Sequence, residues 1–325
     1  MNPADTSADP FHHPALFYKG PEEYLAGTLP FIRQGLETAE PVAVSVPGPN
    51  LELLRTALGS DARQVRLLDM TEEGRNPGRI IPGVLRAFAD AHPARRVRII
   101  GEPIWAGRSE LEYPACAQHE ALINLAFAGR EVTILCPYDT TRLDARALAD
   151  AEATHPVLVD TTGARFSSGY DPQRIITGYN TPLPEPILAD PAAYTAIDTV
   201  TGDSASLAHA RAVTRERAHR SGLSPERAED VALVVAELLG NSVNHGGGQG
   251  QLRLWTEQDQ LVCEVGDTGH LTDPLAGRRP APAGQVRGRG LLLVNHLSDL
   301  VRVHTGPHGT AIRACFRVSD SVGGR

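Results

Sequence analysis

A carboxylate and two amides follow one another at helical spacing in the segment 237–245. Glu237, Asn241 and Asn244 fall on one flank of a helix predicted over 226–245, because residues three and four apart share a helix face. An amide oxygen at Asn241 suits a hard cation such as Mg²⁺, which keeps several waters and bridges phosphates. A carboxylate at Glu237 can orient or deprotonate a nucleophile near a terminal phosphate. An amphipathic surface helix with a solvated polar edge explains this segment alone equally well.

Three later segments favour the phosphate chemistry. A strand predicted over 261–265 leads to Asp267 and Gly269, where a carboxylate can accept a hydrogen bond from an adenine amino group. The glycines of Gly288-Arg289-Gly290 open another predicted helix, whose first backbone N–H groups can hold phosphate oxygens. Thr310 precedes a strand predicted over 311–316 and offers a hydroxyl. Each piece is common alone, since Asp-x-Gly is an ordinary turn. Their joint order predicts a nucleotide-binding site.

The helix over 226–245 has clear signals at both ends. Ser224 before Pro225 is a suitable N-cap, and acidic residues occupy the first turn. The four apolar residues at i, i+3, i+4 and i+7 are Val231, Val234, Val235 and Leu238. The glycine-rich run 246–250 then stops the helix. This face anchors the helix to a core and leaves the polar flank at the edge of a pocket.

The order of these motifs resembles the ATPase superfamily shared by DNA gyrase, Hsp90-type chaperones, sensor histidine kinases and MutL. Within it, the region 200–318 is most similar to the anti-sigma factor serine kinases of bacterial partner-switching systems. The resemblance implies an α+β domain, with helices on a mixed sheet and ATP between the layers. It implies that Glu237 is the catalytic base, that Asn241 binds Mg²⁺ and that Asp267 reads adenine. The further ATP-binding residues that it implies are Asn244, His245, Gly269, Gly288, Arg289, Gly290 and Thr310.

Two features separate this region from other members of the superfamily. The segment 270–287 is short and rich in proline, glycine and arginine, so it predicts a small lid rather than a large gyrase-like clamp. A histidine kinase needs a long helical hairpin with a phospho-accepting histidine before the ATPase domain. Residues 207–219 predict one short arginine-rich helix instead, and His209 and His219 are typical of a solvated helix face.

Composition bounds the class of protein. The 325 residues exceed one usual core, and a hydrophobic content of 41% supports two packed domains. A net charge of −8 argues against direct binding to DNA. The four cysteines form no Cys-x-x-Cys pair, which disfavours a disulfide framework or a zinc knuckle. No long apolar run or signal peptide is present, so we expect a cytoplasmic protein without a membrane segment.

The first half alternates predicted strands and helices. Strands are predicted at 41–46, 96–100 and 131–135, and helices at 50–58 and 116–127. This alternation predicts an α/β domain with a mainly parallel sheet covered on both faces. In such sheets ligands collect at the carboxyl ends of strands. That rule places Pro47, Glu102, Tyr138 and Asp139 near one edge.

Several motifs in this half resemble the MEDS sensory domain, which is related to the sensor part of a dichloromethane-responsive regulator. They are His-Pro-Ala-Leu-Phe-Tyr at 13–18, Gly-Leu at 35–36, Gly-Glu at 101–102, Glu-Ala-Leu-Ile-Asn at 120–124, Cys-Pro-Tyr-Asp at 136–139 and His-Pro at 155–156. The loop 47–50 lacks the Gly-Lys-Ser/Thr of a phosphate loop. The resemblance therefore implies a sensor for a small molecule that the sequence does not identify.

The candidate sensor-ligand residues are His13, Glu102, Glu120, Tyr138, Asp139 and His155. A metal could gather His13, Glu102, Glu120 and His155, but local hydrogen bonds satisfy most histidines at strand and loop ends. We expect Cys136 to be a buried, inert thiol rather than a redox sensor.

These observations predict a sensory domain at 10–165, a proline-rich linker at 166–199 and an ATPase domain at 200–318. The predicted function is a bacterial signalling regulator: an ATP- and Mg²⁺-dependent anti-sigma factor, a serine/threonine protein kinase that regulates transcription under control of the sensor. Expected partners are a sigma factor, an anti-sigma factor antagonist, and a second copy of the chain. Two alternatives stay open. One is a non-catalytic ATP-binding module that sequesters a sigma factor, and the other is a histidine-kinase-like protein that acts on a response regulator.

Overall fold

The computed structural model describes residues 9–188, 194–257, 259–280 and 288–318. The chain forms two compact units, which divide between Tyr179 and Asn180. None of the helices in the described ranges combines the length and apolar composition that crossing a bilayer requires.

The N-terminal unit is an α/β fold, as predicted. Its strands are β1 (Pro14–Tyr18), β2 (Val42–Val46), β3 (Val65–Asp69), β4 (Val97–Gly101), β5 (Val132–Asp139), β6 (Val157–Asp160) and β7 (Gly163–Phe166). Its α-helices are α1 (Gly20–Glu37), α2 (Gly48–Leu58), α3 (Met70–Glu73), α4 (Pro77–Arg79), α5 (Arg86–Asp90), α6 (Tyr113–Phe127), α7 (Ala145–Thr154) and α8 (Pro172–Gly178). A 3₁₀ helix spans Gly59–Gln64 and a π-helix spans Ile80–Leu85.

Seven strands form one sheet in the order β3-β2-β4-β5-β1-β6-β7. All neighbouring pairs are parallel except β6 and β7, which confirms the mainly parallel sheet. Strand β2 is buried along its whole length, as its continuous apolar run predicts for a strand covered on both faces. Because β1, β2, β4 and β5 are parallel, their carboxyl ends meet at one edge of the sheet.

The C-terminal unit is an α+β fold, also as predicted. Its elements are β8 (Tyr194–Thr201), α9 (Ser204–Arg220), α10 (Pro225–His245), β9 (Gln249–Glu257), β10 (Gln260–Asp267), α11 (Gly290–Leu297), β11 (Leu300–Gly306) and β12 (Gly309–Arg317). The sheet order is β11-β12-β10-β9-β8. Every pair is antiparallel, where a mixed sheet was expected. Strands β9–β10 and β11–β12 are joined by short turns, as antiparallel neighbours can be, while β9 pairs with β8 after α9 and α10, and β12 pairs with β10.

Helix α10 packs against this sheet through the apolar face that its sequence predicts. Val231, Val234, Val235 and Leu238 are all buried in one apolar cluster with residues of β9, β10 and β12. The Ser224 hydroxyl accepts a hydrogen bond from the backbone N–H of Arg227 at 3.2 Å, which caps the first turn. The same packing leaves the flank with Glu237 and Asn241 at the edge of the layer.

The range 166–199, predicted as an extended linker, contains regular structure at both ends. Helix α8 belongs to the first unit and strand β8 to the second, and the described residues between them that lack helix and strand are 179–188. This part contacts the C-terminal sheet: Arg313 donates to the Pro184 carbonyl oxygen at 2.7 Å, and Arg253 pairs with Glu185 at 2.8 Å. The linker residues 189–193 and the lid residues 281–287 lie outside the described residues.

Candidate functional site

Two adjoining cavities open beside α10 in the C-terminal unit, with volumes of about 730 and about 1000 Å³. Of the predicted nucleotide-site residues, those on the first cavity are Asn241, His245, Asp267, Gly269, Gly288, Gly290 and Thr310. Those on the second are Glu237, Asn241, Asn244, His245, Gly288, Arg289 and Gly290. The structure thus brings all ten predicted residues to the walls of one continuous region, with volumes typical of small-molecule sites.

Asp267 is held in place at the end of β10. The Ser242 hydroxyl donates to its Oδ2 at 2.6 Å, and the backbone N–H of Gly269 donates to its Oδ1 at 2.8 Å. An ionised carboxylate offers about four acceptor positions, so two donors leave capacity for a ligand. The carboxylate is therefore oriented toward the cavity and can still accept a hydrogen bond from an amino group.

Thr310 sits opposite Asp267 in the β10–β12 register. Its hydroxyl donates to the Gly269 carbonyl oxygen at 2.8 Å and lies 2.9 Å from the Thr305 hydroxyl. Thr305 Oγ1 also accepts from the backbone N–H of Leu271 at 3.1 Å. Two threonine hydroxyls thus hold the chain after β10 against the sheet, where it forms one wall of the cavity.

The start of α11 packs directly on the polar flank of α10. A Cβ atom added at Gly290 would lie 2.7 Å from Glu237 Oε2 and 3.5 Å from Asn241 Nδ2, so a side chain here would displace Glu237. No side chain caps this helix end, where Arg289 is the N-cap. The first N–H groups of a helix lack intrahelical partners and favour anions. Glu237, Asn241 and these N–H groups therefore border one space suited to a phosphate.

Ser242 and Thr305 also support the site, although the motifs in the sequence did not predict them. Ser242 lies four residues after Leu238, on the buried apolar face of α10, and it is itself buried. Because a buried polar residue usually has a hydrogen-bond partner, a serine on this apolar face was a sequence signal for such a partner. Thr305 gave no local signal, because its role depends on the pairing of β11 with β12.

The residues predicted to bind the sensor's ligand fall into two separate groups. Glu102 and Asp139, with Pro47, line a cavity of about 440 Å³ at the carboxyl edge of the parallel sheet. Asn50 Nδ2 donates to both Glu102 oxygens, at 2.9 and 3.1 Å, and Tyr18 donates to Oε1 at 3.4 Å. Burial raises the pKa of Glu102 to about 8, against the opposing hydrogen bonds. The cavity therefore presents a carboxyl group that holds its proton more tightly than an exposed glutamate does.

The second group is buried and does not include Glu102, which corrects the predicted set of four. His13 Nε2 and His155 Nε2 lie 3.3 and 3.2 Å from Glu120 Oε2, and Cys136 Sγ lies 3.4 Å from His13 Nε2. Burial and the neighbouring His155 lower the pKa of His13 to about 4, although Glu120 opposes the change. Burial raises the pKa of the Cys136 thiol well above its usual value. His13 and Cys136 are thus uncharged at pH 7 in this arrangement.

Tyr138 packs against this buried group and does not line the cavity. Its ring packs edge-on against His155, with ring centroids 5.5 Å apart, and its side chain is 1% exposed. Strand residues alternate between the two faces of a sheet, so Tyr138 and its neighbour Asp139 point to opposite sides. Of these two candidate ligand residues, Asp139 lines the cavity and Tyr138 lies in the buried group, and their roles in ligand binding stay predictions.

Two protein-family models match the chain. Residues 12–156 match the MEDS domain, described as the methanogen/methylotroph DcmR sensory domain. Residues 200–316 match the histidine kinase-like ATPase domain. The chain therefore joins an N-terminal MEDS sensory domain to a C-terminal histidine kinase-like ATPase domain, as the motifs predicted.

Solved structures with similarity to the chain include the RsbU and RsbW domains of a Mycobacterium tuberculosis protein. That match has 19% identity and a TM-score of 0.29, and it covers 38% of this chain and 32% of the other, about a third of its length. The SiaB–SiaC complex from Pseudomonas aeruginosa matches with 16% identity and a TM-score of 0.31, covering 38% of this chain and 88% of the other. No curated protein matches the chain.

Removal of the Ser242 hydroxyl should weaken nucleotide binding. In Ser242→Ala, Asp267 loses one of its two donors, and a hydrogen bond to a charged group contributes about 1.5 kcal/mol or more, so we expect ATP affinity to fall about tenfold. Isothermal calorimetry measures this change. Ser298→Ala, which removes another buried hydroxyl of the same unit, is the control and should leave affinity unchanged. Equal affinity in Ser242→Ala and wild type would contradict the role given to Ser242.

The buried Glu102 predicts a pH dependence of stability. Its pKa is about 8 in the folded protein against an ordinary 4.5, so between these values the folded state holds a proton that the unfolded chain has released. The free energy of unfolding therefore falls as pH rises through this window. In Glu102→Gln that contribution disappears, and calorimetric Tm should fall less from about pH 5 to about pH 8. The exposed Glu52→Gln should behave as wild type, and identical slopes in all three proteins would disprove the assignment.

Proposed function

We propose that this chain is a bacterial signalling regulator whose ATPase domain transfers the γ-phosphoryl group of ATP to a serine or threonine of an antagonist protein. The MEDS domain controls this reaction. An ATPase domain implies ATP binding, and the family match assigns that domain to 200–316. The observation that carries the proposal is the meeting of Glu237, Asn241 and the start of α11 at one cavity wall.

The residues of the cavity fit Mg-ATP. Asp267, with its free acceptor capacity, receives the adenine amino group, and Thr310 supports that end of the site. Gly288, Arg289 and Gly290 hold the phosphates with backbone N–H groups and a guanidinium. The Asn241 amide oxygen is a suitable Mg²⁺ ligand, as a single protein oxygen beside phosphates and water is typical of this ion. When bound, Mg²⁺ neutralises charge on the phosphates.

Glu237 is the residue best placed to act on the acceptor. It lies one helical turn before Asn241 and is half-buried beside the N-terminus of α11. Its carboxylate accepts the proton of the incoming serine or threonine hydroxyl as the hydroxyl oxygen bonds to the γ-phosphorus, the bond from that phosphorus to the β–γ bridging oxygen breaks, and ADP leaves. Positioning and charge stabilisation supply most of the catalysis in phosphoryl transfer, so one base and one cation site are sufficient.

The same site supports partners of two kinds. The phosphoryl acceptor is an anti-sigma factor antagonist, and the bound target is a sigma factor, as in the systems that the ATPase motifs resemble. A second copy of this chain is a further proposed partner. The helix before α10 is a single helix, α9, preceded by strand β8 within 194–220, so those residues contain no helical hairpin with a phospho-accepting histidine. This arrangement favours a serine or threonine acceptor over a phosphohistidine.

Two substitutions on α10 should separate binding from catalysis. Asn241→Ala should abolish Mg²⁺-dependent phosphoryl transfer, because it removes the metal ligand. Glu237→Ala should retain ATP binding but slow transfer by about 10²-fold or more, the usual contribution of a general base. The measurement is acid-stable label transferred from γ-labelled ATP to purified antagonist proteins, with Glu226→Ala as an exposed control on the same helix.

Each other outcome identifies a different function. Full transfer by Asn241→Ala would disprove the metal assignment. Acid-labile label would indicate phosphohistidine and the histidine-kinase-like alternative. ATP binding by the wild type with no labelled antagonist would indicate a module that sequesters its partner without turnover.

A further inference from the structure

Four metal-binding side chains from four segments meet inside the N-terminal unit. His13 precedes β1, Glu120 lies in α6, Cys136 lies in β5 and His155 follows α7. Their ligating atoms all lie within 4.8 Å of one another, and each residue is at most 2% exposed. Charged and polar groups that are this deeply buried require partners. The cluster is separate from the cavity beside Glu102 and from the ATPase domain.

The tautomer of His13 follows from Asn124. The Asn124 amide nitrogen donates to three backbone carbonyl oxygens, the nearest that of Thr154 at 2.9 Å. Because these partners only accept, the amide oxygen must face His13, whose Nδ1 lies 3.2 Å away. Nδ1 of His13 therefore donates, and in the neutral ring the lone pair is on Nε2.

His155 has the same arrangement. Its Nδ1 lies 2.8 Å from the Ala151 carbonyl oxygen, so Nδ1 donates and Nε2 carries the lone pair. Both Nε2 lone pairs point toward one Glu120 oxygen. Among the residues that the structure describes, both Glu120 oxygens and His155 Nε2 lack a hydrogen-bond partner. Protonating both rings would bury two imidazolium ions against one carboxylate, which is costly in an apolar interior.

A cation at the centre of the cluster would bind the two Nε2 lone pairs and the Glu120 carboxylate together. We propose that His13 Nε2, His155 Nε2, the Glu120 carboxylate and the Cys136 thiolate bind one Zn²⁺ ion. A tetrahedron with Zn–N and Zn–O bonds of about 2.0–2.1 Å has edges of about 3.3–3.4 Å. The two His Nε2–Glu120 Oε2 separations of 3.2 and 3.3 Å are close to those edges. The Cys136 Sγ–His13 Nε2 separation of 3.4 Å is close to the edge of about 3.6 Å that a Zn–S bond of about 2.3 Å gives.

The donor set selects the metal and balances its charge. Mixed nitrogen, sulfur and oxygen ligands suit Zn²⁺, whereas Ca²⁺ and Mg²⁺ require oxygen ligands. One thiolate and one carboxylate neutralise the two positive charges, so the buried site carries no net charge. Asn124 and the Ala151 carbonyl orient the two imidazoles as outer partners, an arrangement usual for zinc-bound histidine. Four protein ligands leave no open position, so this ion is structural and joins the neighbouring strands β1 and β5 to α6 and α7.

The test is metal titration of the full-length protein after removal of metal with a chelator. We expect one equivalent of Zn²⁺ to bind and to raise Tm. One equivalent of Co²⁺ should give the visible bands of a tetrahedral site and a near-ultraviolet sulfur-to-cobalt band. Cys136→Ser should lose the sulfur band, and Glu120→Gln should bind Zn²⁺ at least tenfold more weakly. Cys116→Ala, at another buried thiol of the same unit, should retain one equivalent and the full spectrum.

Metal titration of the wild type tests the proposal even if a variant fails to fold. A chelated wild-type protein that is folded by circular dichroism and binds no Zn²⁺ at micromolar concentration would overturn it. So would a cobalt spectrum without a sulfur band in the wild type, or one that Cys136→Ser leaves unchanged. Asn124→Ala, which alters only an outer partner, should weaken Zn²⁺ about 10- to 100-fold and keep the sulfur band.

Discussion

The ATPase domain depends on the close approach of three backbone segments around Asp267. A Cβ atom at Gly309 would lie 1.9 Å from the Asp267 carbonyl oxygen, and Gly309 has a φ of +123°, so only glycine fits there. On the other side, a Cβ at Gly246 would lie 2.3 Å from the Asp267 carboxyl carbon. The end of α10 and the β11–β12 turn thus meet β10 without intervening side chains. This close approach brings the Ser242 hydroxyl to within 2.6 Å of the Asp267 carboxylate.

The linker contacts the same part of the domain. The Asn180 side chain accepts from the Thr305 N–H at 3.0 Å and donates to the Thr305 carbonyl oxygen at 2.9 Å. The Thr305 hydroxyl in turn meets Thr310 beside the cavity. A short chain of hydrogen bonds therefore joins the first residue after the N-terminal unit to the wall of the nucleotide site. A change in the position of Asn180 would therefore alter groups that shape this wall.

Local sequence signals predicted the elements that carry most of the chemistry. The period of Val231, Val234 and Leu238, with the cap at Ser224, predicted α10 and its polar flank, and the buried apolar run at 41–46 predicted β2. The contacts between distant segments were not predictable, because no local pattern encodes which strands pair. The hydrogen bond between Ser242 and Asp267 depends on such pairing. So does the membership of the histidine cluster, which contains Cys136 and not the predicted Glu102. The placement of Tyr138 and Asp139 on opposite faces of the sheet could have been predicted, because adjacent residues of a strand alternate between its faces.

The proposed function requires Asp267 and Asn241 to form opposite ends of one Mg-ATP site. Calorimetric titration of the full-length wild type and of Asp267→Ala with ATP, with and without Mg²⁺, measures this. We expect the wild type to bind ATP, more tightly with Mg²⁺, and Asp267→Ala to lose binding under both conditions, because adenine recognition does not depend on the metal. Wild-type protein that binds no ATP, or an Asp267→Ala variant that binds it as tightly as wild type, would rule out this site.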